Sequence, residues 1–309
     1  MGRRAERPRG AGQGVCAVAG QELLARIEAL IGSRVESHVR AEGGYTPAAR
    51  LVCRTANGSF FVKAGATPLT CSFLRREAHV YGAIDGPFVP RVVAWEDHEA
   101  APILVTEDLS HAHWPPPWDT ARIGRALAQV EAMHSTTVDL DPFAEVYGQA
   151  GRGWRTVAAD PEPFLSLGFA DGDWLDVALP ILVDYEQRCP IDGDSLTHFD
   201  LRSDNMCMTD DRVLFIDWNC ACLGNSRLDL GFWLPSLAYE GGPAPDTILP
   251  DAPEVAAVVT GYFAANAGLD KIPDAPRVRV VQRQQLVTGL PWVVRALELP
   301  ALADAFRDV

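Results

Sequence analysis

The chain has 309 residues, of which 48% are hydrophobic and 22% charged, and its formal net charge is −14. This composition supplies a core and excludes global disorder. The acidic balance argues against a protein that binds nucleic acid or an anionic membrane surface through phosphate groups. No apolar run reaches the length of about 18 residues that a membrane-spanning helix needs. The seven scattered cysteines and the lack of a secretory signal lead us to expect a cytoplasmic protein.

The first hundred residues predict mostly strands. Residues 1–20 are basic at the start and are expected to form a disordered tail, and an amphipathic helix follows over 21–31. Asn57-Gly58 predicts a hairpin turn, because this dipeptide tolerates positive φ. A single helix, over 70–84, interrupts the strands. The predicted strands cover residues 34–42, 48–54, 59–64, 88–96 and 102–107.

A proline-rich segment at 111–119 separates this region from a mainly helical one. We therefore expect an α+β fold of two lobes, with an antiparallel-sheet N-lobe over 21–108 and a mainly helical C-lobe over 109–309. A cluster of short strands is predicted at 195–218. The predicted helices are 120–134, 174–188, 228–238, 254–265 and 277–306, the last broken at Pro291 and Pro300.

The segment SLTHFDLRSDNMCMTDDRVLFIDW at 195–218 carries the most chemistry. It contains the pattern H-x-D-x-x-x-x-N, formed by His198, Asp200 and Asn205, and Asp217 follows an apolar strand twelve residues later. Two short strands joined by a turn would bring Asn205 and Asp217 to one end of a hairpin. An amide oxygen beside a carboxylate suits Mg²⁺. Asp200 is close enough in sequence to orient a substrate hydroxyl or accept its proton.

This arrangement resembles the catalytic core of protein-kinase-like enzymes, and most closely the aminoglycoside phosphotransferase family of small-molecule kinases. That family has H-G-D-x-x-x-x-N, whereas this chain has Phe199 in place of the glycine and Trp218 after the metal aspartate. The substitution at 199 keeps the spacing but makes the shape of the loop an open question. The resemblance implies a bilobal kinase-like fold and ATP or GTP as the phosphoryl donor.

The N-lobe contains the other elements that the resemblance requires. Lys63 ends the strand FFVKAG and would hold the α- and β-phosphates, while Glu77 on the next helix would orient it. Gly43 and Gly44 lie where the phosphate-covering loop belongs. The strand PILVTEDL ends the lobe, and we expect the nucleotide base near Thr106, Glu107 and Leu109. An ordinary surface ion pair is the alternative for Lys63 and Glu77.

Three residues of the catalytic region are expected to support the reaction. Arg202 would offset charge on the transferred phosphoryl group, or form a structural ion pair. Asp229 would brace the catalytic loop, or act as a helix N-cap. His198 is expected to pack and hydrogen-bond the backbone rather than act as the base. His134 ends a helix and is expected to interact with the helix dipole.

The acceptor is less well defined by the sequence. Residues 137–195 hold twelve Asp or Glu and three Arg, so an acidic field there would attract a cationic acceptor such as an aminoglycoside. A solvated acidic face is the alternative, which leaves a neutral sugar or nucleoside open. We expect a Mg²⁺-dependent kinase that phosphorylates a hydroxyl of an antibiotic. Metabolic kinases of amino sugars, choline-like alcohols or fructosamines, and a catalytically dead nucleotide-binding module, are the alternatives.

Overall fold

The computed structural model describes residues 12–302 except 42, 45, 149, 150 and 274, with side chains described from residue 20 onward. These residues form two compact units. The first unit takes in the chain up to residue 42 together with 48–74 and 91–108, and the second takes in 43–47, 75–90 and the chain from 109 onward. Residues 43–47 and 75–90, which fall inside the predicted N-lobe, therefore cluster with the second unit.

The first unit is a five-stranded antiparallel sheet in the order β1-β2-β3-β5-β4. Cys53, Val62 and Val105 lie on successive neighbouring strands, and each is at most 1% exposed, so they form one core with Ile27 of the first helix. Gly58 begins β3 at φ 126°, as a tight turn after Asn57 requires. The elements are α1 (Gly12–Ile31), β1 (Val35–Arg40), β2 (Ala49–Thr55), β3 (Gly58–Ala64), β4 (Val92–Glu96) and β5 (Ile103–Glu107).

Two features of this unit differ from the sequence-based expectation. Helix α1 begins at Gly12 rather than at residue 21, because the small and apolar residues of 15–19 are compatible with helix although they lack a polar face. Residues 1–11 of the expected tail lie outside the described residues. Helix α2 (Pro68–Ala83) starts two residues early and continues from the first unit into the second after Leu74.

The second unit is mainly helical, as predicted, and its strands form two short antiparallel pairs. The two-stranded pairs are β6 with β9 and β7 with β8. The helices are α3 (Thr120–His134), α4 (Phe143–Tyr147), α5 (Gly153–Ala159), α6 (Glu162–Leu165), α7 (Gly172–Arg188), α8 (Ser226–Tyr239), α9 (Pro245–Ile248), α10 (Pro253–Ala267) and α11 (Val278–Ala296). The strands are β6 (Ser195–Thr197), β7 (Met206–Met208), β8 (Val213–Phe215) and β9 (Cys222–Gly224).

Helix α10 forms the centre of this unit and is buried on nearly all sides, which is why its sequence is apolar around the whole helix. It crosses α5 at a pair of glycines: a Cβ on Gly153 would lie 2.0 Å from the carbonyl carbon of Gly261. The buried carboxylate of Glu186, on α7, accepts the backbone N–H of Trp154 at 2.8 Å and so satisfies the start of α5. Close backbone approach and a buried acid therefore occur at the same crossing.

The predicted break of the last helix at Pro291 is wrong. Pro291 lies inside α11, which continues to Ala296. Leu290, Trp292 and Val293 beside it are at most 1% exposed, so burial of this stretch outweighs the roughly 3 kcal/mol that an internal proline costs a helix. Four short helices, α4, α5, α6 and α9, were not predicted, because four to seven residues are too few to show a helical period.

Candidate functional site

The hairpin of β7 and β8 brings two of the predicted site residues together. Met206 pairs with Phe215, and the backbone N–H of Ile216 donates to the carbonyl oxygen of Asn205 at 2.9 Å. Asn205 and Asp217 therefore lie at the same end of the hairpin. Both strands are fully buried, which fixes the position of these two polar side chains at the edge of an apolar layer.

Asp200 is held by the two residues that the sequence placed around it. The Nδ2 group of Asn205 donates to Asp200 Oδ2 and to its carbonyl oxygen, both at 2.8 Å, and a guanidinium nitrogen of Arg202 donates to Oδ1 at 2.8 Å. Burial raises the pKa of Asp200 to about 6, and the charge of Arg202 opposes that rise. The carboxylate is therefore fixed in direction and has the basicity expected of a group that accepts a proton near neutral pH.

Asp217 adopts a left-handed backbone conformation, with φ 65° and ψ 51°, between β8 and a short 3-10 turn, Trp218–Cys220. A non-glycine residue in this region carries strain of order 1–3 kcal/mol, and such strain is common at functional sites. Here the conformation turns the chain sharply at the end of a buried strand.

The donor set fits a magnesium ion. Because the amide nitrogen of Asn205 faces Asp200, its Oδ1 is the atom available to a cation, and the carboxylate of Asp217 lies at the same hairpin end. Mg²⁺ commonly takes one or two protein oxygens and completes its shell with phosphate oxygens and water. Within the described residues no group of three or more His, Cys, Asp or Glu side chains has metal-binding geometry.

Asp229, on α8, is completely buried and bonds to the loop that the sequence predicts to be catalytic. Its carboxylate accepts the backbone N–H groups of Phe199 at 2.6 Å and His198 at 3.1 Å, and it contacts His134 Nε2 at 2.8 Å. The N-cap of α8 is Asn225, so the N-cap alternative for Asp229 is wrong. The contact of His134 with Asp229 was not predicted, because the two residues are 95 positions apart and no local pattern connects them.

His198 is 0% exposed and its ring bonds only to the backbone in the described contacts. Its Nε2 lies 3.0 Å from the carbonyl of Ile216, which can only accept, while the N–H of Asp200 donates to Nδ1 at 3.3 Å. These partners select the neutral tautomer with the proton on Nε2. Burial lowers the pKa of His198, in agreement with a neutral ring. The geometry suits a packing residue rather than a base.

Phe199 occupies the position where the family pattern has glycine, and it adopts φ 53°. This is the left-handed conformation that glycine adopts readily and other residues adopt at a cost. Its ring packs against Phe143, with ring centroids 4.9 Å apart, and against Tyr147 at 6.0 Å. The bulky residue therefore keeps a glycine-like backbone, and aromatic contacts offset the strain.

The residues predicted to bind the nucleotide are divided between the two units. Lys63 is half-buried on β3 of the first unit. In the strand register it lies opposite Arg50 of β2 and Leu104 of β5. Glu77 belongs to the second unit and is only 4% exposed. Burial raises the pKa of Tyr81 well above its usual value, and the carboxylates of Glu77 and Asp217 raise it further, with a hydrogen bond to Glu77. The pairing of Lys63 with Glu77 stays a prediction.

The predicted base-binding segment begins with the last two residues of β5 and continues to Leu109. Thr106 is buried, and Glu107 is tied to Arg91 in both directions: its carboxylate accepts the N–H of Arg91 at 2.8 Å, and its own N–H donates to the carbonyl of Arg91 at 2.9 Å. Asp108 accepts a hydrogen bond from the Ser59 hydroxyl. The side chain of Glu107 is thus committed within its own unit. Leu109, in the second unit, is buried with Cys207 and Leu214.

The turn at 202–204, within the predicted catalytic segment and called the catalytic turn below, borders a cavity of about 420 Å³ in the second unit. Gly43 and Gly44, at φ 104° and 71°, line it together with the turn residues Arg202, Ser203 and Asp204. Residues from the ends of α8 and α11 and from the proline-rich segment complete the wall. The described lining is Gly43, Gly44, Pro115, Pro116, Arg202, Ser203, Asp204, Ser236, Tyr239, Glu240, Arg277, Val281, Gln284 and Gln285.

Glu240 connects three elements around this cavity and was not found by sequence reasoning. One carboxylate oxygen accepts from the hydroxyl of Ser203 at 2.5 Å, and the other accepts from the indole N–H of Trp118 at 2.8 Å. Trp118 in turn packs on Trp233, with ring centroids 5.8 Å apart. Glu240 lies just beyond the end of α8, and no sequence pattern at that position would have identified it.

Comparison with known proteins agrees with this geometry. A sequence profile described as the phosphotransferase enzyme family matches residues 38–293. A comparison with curated proteins found no match.

Among solved structures, the chain resembles a thermostable mutant of aminoglycoside phosphotransferase APH(4)-Ia in complex with ADP and hygromycin B. The TM-score is 0.58 and the identity 16%, over 89% of this chain and 98% of that one. It also resembles choline kinase LicA from Streptococcus pneumoniae, with a TM-score of 0.59 and 16% identity over 89% and 99% of the two chains. Spectinomycin phosphotransferase APH(9)-Ia gives a TM-score of 0.53 and 15% identity, over 86% and 93%.

The fold is therefore the α+β protein-kinase-like fold. The chain belongs to the phosphotransferase enzyme family. It is a kinase that acts on hydroxyl groups of small molecules with ATP. Among the described residues, no helix has the length and apolar character needed to cross a membrane.

Proposed function

We propose that Asp200 orients the acceptor hydroxyl and accepts its proton during phosphoryl transfer. The observation that carries the proposal is the fixed carboxylate: Arg202 and Asn205 each hold one of its oxygens at 2.8 Å. Asp229 accepts the backbone N–H groups of His198 and Phe199, the two residues before Asp200, and so keeps the loop in this shape. A base held in one direction fits a reaction whose rate depends mainly on positioning and electrostatics.

In the proposed reaction the acceptor oxygen forms a bond to the γ-phosphorus while the bond from that phosphorus to the β,γ-bridging oxygen breaks. The hydroxyl proton passes to a carboxylate oxygen of Asp200, and the nucleoside diphosphate leaves. Arg202 adds positive charge beside the carboxylate and offsets charge on the transferring group. Mg²⁺, which Asn205 and Asp217 would hold, supplies charge neutralisation of the phosphate oxygens when bound.

The nucleotide is assigned to the residues that the family resemblance indicates. Lys63, oriented by Glu77, binds the α- and β-phosphates, and the backbone N–H groups around Gly43 and Gly44 cover them. The base lies near Thr106, Glu107 and Leu109. Solved structures of similar fold contain ADP and AMP-PNP, which supports an adenine nucleotide, and GTP is the alternative donor.

A hydroxylated antibiotic is the proposed acceptor. The solved structures of similar fold include kinases bound to hygromycin B and spectinomycin, and this supports inactivation of an antibiotic by phosphorylation. A metabolic role is the second candidate, because a choline kinase shares the fold to the same degree. The complete set of Asp200, Asn205 and Asp217 argues against a catalytically dead module.

The test compares Asp200→Asn with the wild type and with Asp211→Asn, which changes an exposed carboxylate on the β7–β8 turn. ADP release is measured with a panel of hydroxylated antibiotics and amino sugars, and AMP-PNP binding is measured by calorimetry. We expect Asp200→Asn to lower turnover by about 10²- to 10⁴-fold with little change in nucleotide affinity, since the proton acceptor is lost while the proposed nucleotide-binding residues are unchanged. Turnover near the wild-type value in this variant contradicts the role assigned to Asp200.

Asp217→Asn separates an active kinase from a nucleotide-binding module. If Asp217 holds the metal, the variant should lose both transfer and the Mg²⁺ dependence of nucleotide binding. Nucleotide binding that depends equally on Mg²⁺ in both proteins would remove Asp217 from the metal site.

A further inference from the structure

The charges in the cavity beside the catalytic turn bear on the chemistry of the acceptor, and this inference rests on the proposed function. Arg202 and Arg277 contribute two guanidinium groups to its described lining, and Asp204 and Glu240 contribute two carboxylates. The formal charges of this lining cancel. A site for a polycation needs an excess of carboxylates that can turn toward the ligand.

Both carboxylates of this lining already have partners. Arg202 binds Asp204 through two nitrogens, with distances of 2.9 and 3.2 Å. Glu240 accepts from Ser203 with one oxygen and from Trp118 with the other. An ammonium group of a ligand would have to compete with these bonds, and breaking them would leave Ser203 or the indole N–H without an acceptor.

The acidic residues that suggested a cationic acceptor lie elsewhere. Of the twelve Asp and Glu side chains in 137–195, all but Glu186 are exposed, and none belongs to the described lining of the cavity. Glu186 is buried and accepts from the backbone of α5. The acidic region is therefore a solvated surface, which was the alternative interpretation of the sequence.

Amide groups supply the uncommitted polar atoms of the cavity. Gln285 is 6% exposed and lines it, and among the described residues its amide has no hydrogen-bond partner. Gln284 lines it as well, one residue earlier on α11. A carboxamide offers both a donor and an acceptor, so it matches a hydroxyl group, whereas an ammonium group can use only its oxygen.

We propose that this cavity binds a neutral, hydroxyl-rich acceptor, such as a sugar or a nucleoside, and that Gln285 is a specificity-determining residue for it. The volume of about 420 Å³ falls within the range of small-molecule sites. Because the charges of the lining balance and both of its carboxylates are already bonded, the cavity offers a polycationic ligand no net attraction.

The experiment uses probes of equal skeleton. Cellobiose and the β-1,4-linked dimer of glucosamine differ only in two hydroxyls that become ammonium groups; adenosine and hygromycin B extend the neutral and cationic sets. Affinity is measured by calorimetry on the full chain with bound Mg²⁺ and AMP-PNP, and transfer is measured separately with ATP. We expect at least one neutral probe to bind tenfold or more tightly than its cationic counterpart.

Two variants test the role of Gln285. Gln285→Glu adds an uncommitted carboxylate at nearly the same volume and should lower the neutral-to-cationic affinity ratio by tenfold or more. Gln282→Glu is the matched control, because Gln282 lies on the same helix at the same 6% exposure but outside the described lining. This control should leave the ratio within about twofold.

The outcomes separate this inference from the proposed function. Equal or tighter binding of the cationic probes, no binding of any neutral probe, or an unchanged ratio in Gln285→Glu overturns the neutral acceptor. Binding of a neutral probe that depends on Gln285 without any transfer leaves the inference standing and contradicts the proposed reaction. Phosphoryl transfer to the glucosamine dimer and to no neutral probe supports the proposed reaction and overturns the neutral acceptor.

Discussion

The carboxylate of Asp229 accepts the backbone N–H of Phe199 at 2.6 Å, although the two residues lie thirty positions apart and Asp229 belongs to helix α8. Through this bond a buried charge on a helix determines the backbone path of the catalytic loop. The same carboxylate holds the N–H of His198 and contacts His134. A carboxylate that accepts several hydrogen bonds can be buried without a large penalty. A buried N–H group that loses its acceptor, in contrast, destabilises the fold.

We expect Asp229→Asn to lower the free energy of unfolding by at least about 2 kcal/mol, because its amide NH₂ would face a buried N–H donor. Urea denaturation gives the stability, and turnover should fall more than nucleotide affinity. Asp171→Asn is the control, since Asp171 caps α7 and asparagine caps a helix about equally well. Equal, small effects in both variants would show that Asp229 does not brace the loop.

Phe199 provides a second test of the loop. Phe199→Ala removes the ring contacts but keeps a Cβ at φ 53°, while Phe199→Gly removes the ring and relieves the backbone. We therefore expect the glycine variant to be more stable than the alanine variant by about 1 kcal/mol, the reverse of the order in a helix. Denaturant midpoints compare the two. An alanine variant that matches or exceeds the glycine variant would contradict the left-handed conformation.

Glu186 makes stability depend on pH. Burial raises its pKa to about 7 from the ordinary value of 4.5, and hydrogen bonds from the backbone of Trp154 and Arg155 oppose this rise. Between these two pH values Glu186 is ionised in the unfolded chain but protonated in the folded chain. The stability contributed by the protonated group is therefore complete below pH 4.5 and is lost as the pH rises through about 7, by roughly 3 kcal/mol at most.

We expect Glu186→Gln to flatten this part of the stability profile, so that the variant gains relative to the wild type as the pH rises from 5 to 8. Thermal or urea unfolding at several pH values measures the effect. Glu162→Gln, which changes an exposed residue of the same region, should follow the wild-type profile. Parallel profiles for Glu186→Gln and the wild type would place the titration elsewhere.

The bond between Ser203 and Glu240 can be measured by a double-mutant cycle of Ser203→Ala and Glu240→Ala. Ser203 is 7% exposed and its hydroxyl donates to Glu240, so we expect a coupling free energy of about 1–2 kcal/mol. Both single variants should reduce turnover, because the bond holds the turn that carries Arg202 and Asp204. Additive effects on stability and turnover would mean that the bond contributes nothing.

Sequence reasoning predicted the parts of the molecule that local patterns encode. The strands of the five-stranded sheet and the long helices α3, α7, α8, α10 and α11 were predicted from local runs of apolar residues, and α3 has the predicted bounds of 120–134. The placement of Asn205 and Asp217 at one hairpin end followed from strand pairing alone. The family membership and the kinase-like fold were confirmed.

What the sequence did not reveal depends on contacts between distant positions. His134, Glu240 and Tyr81 enter the site only when helices pack, and no spacing along the chain indicates those partners. The acidic region of 137–195 is a second case in which the location of side chains could not be predicted. Its charge is plain in the sequence, but only the fold shows that those side chains face solvent rather than the cavity.

The bond network of Trp118, Glu240 and Ser203 has a practical consequence for protein engineering. Residues 198–205 look like a portable cassette, yet one of their anchors is an indole in a proline-rich stretch eighty residues upstream. Grafting residues 198–205 onto a relative would transfer Asp200 without Glu240 and Trp118, which hold the loop through Ser203. Chimeras should exchange the stretch from 114 to 118 and the end of α8 along with the loop.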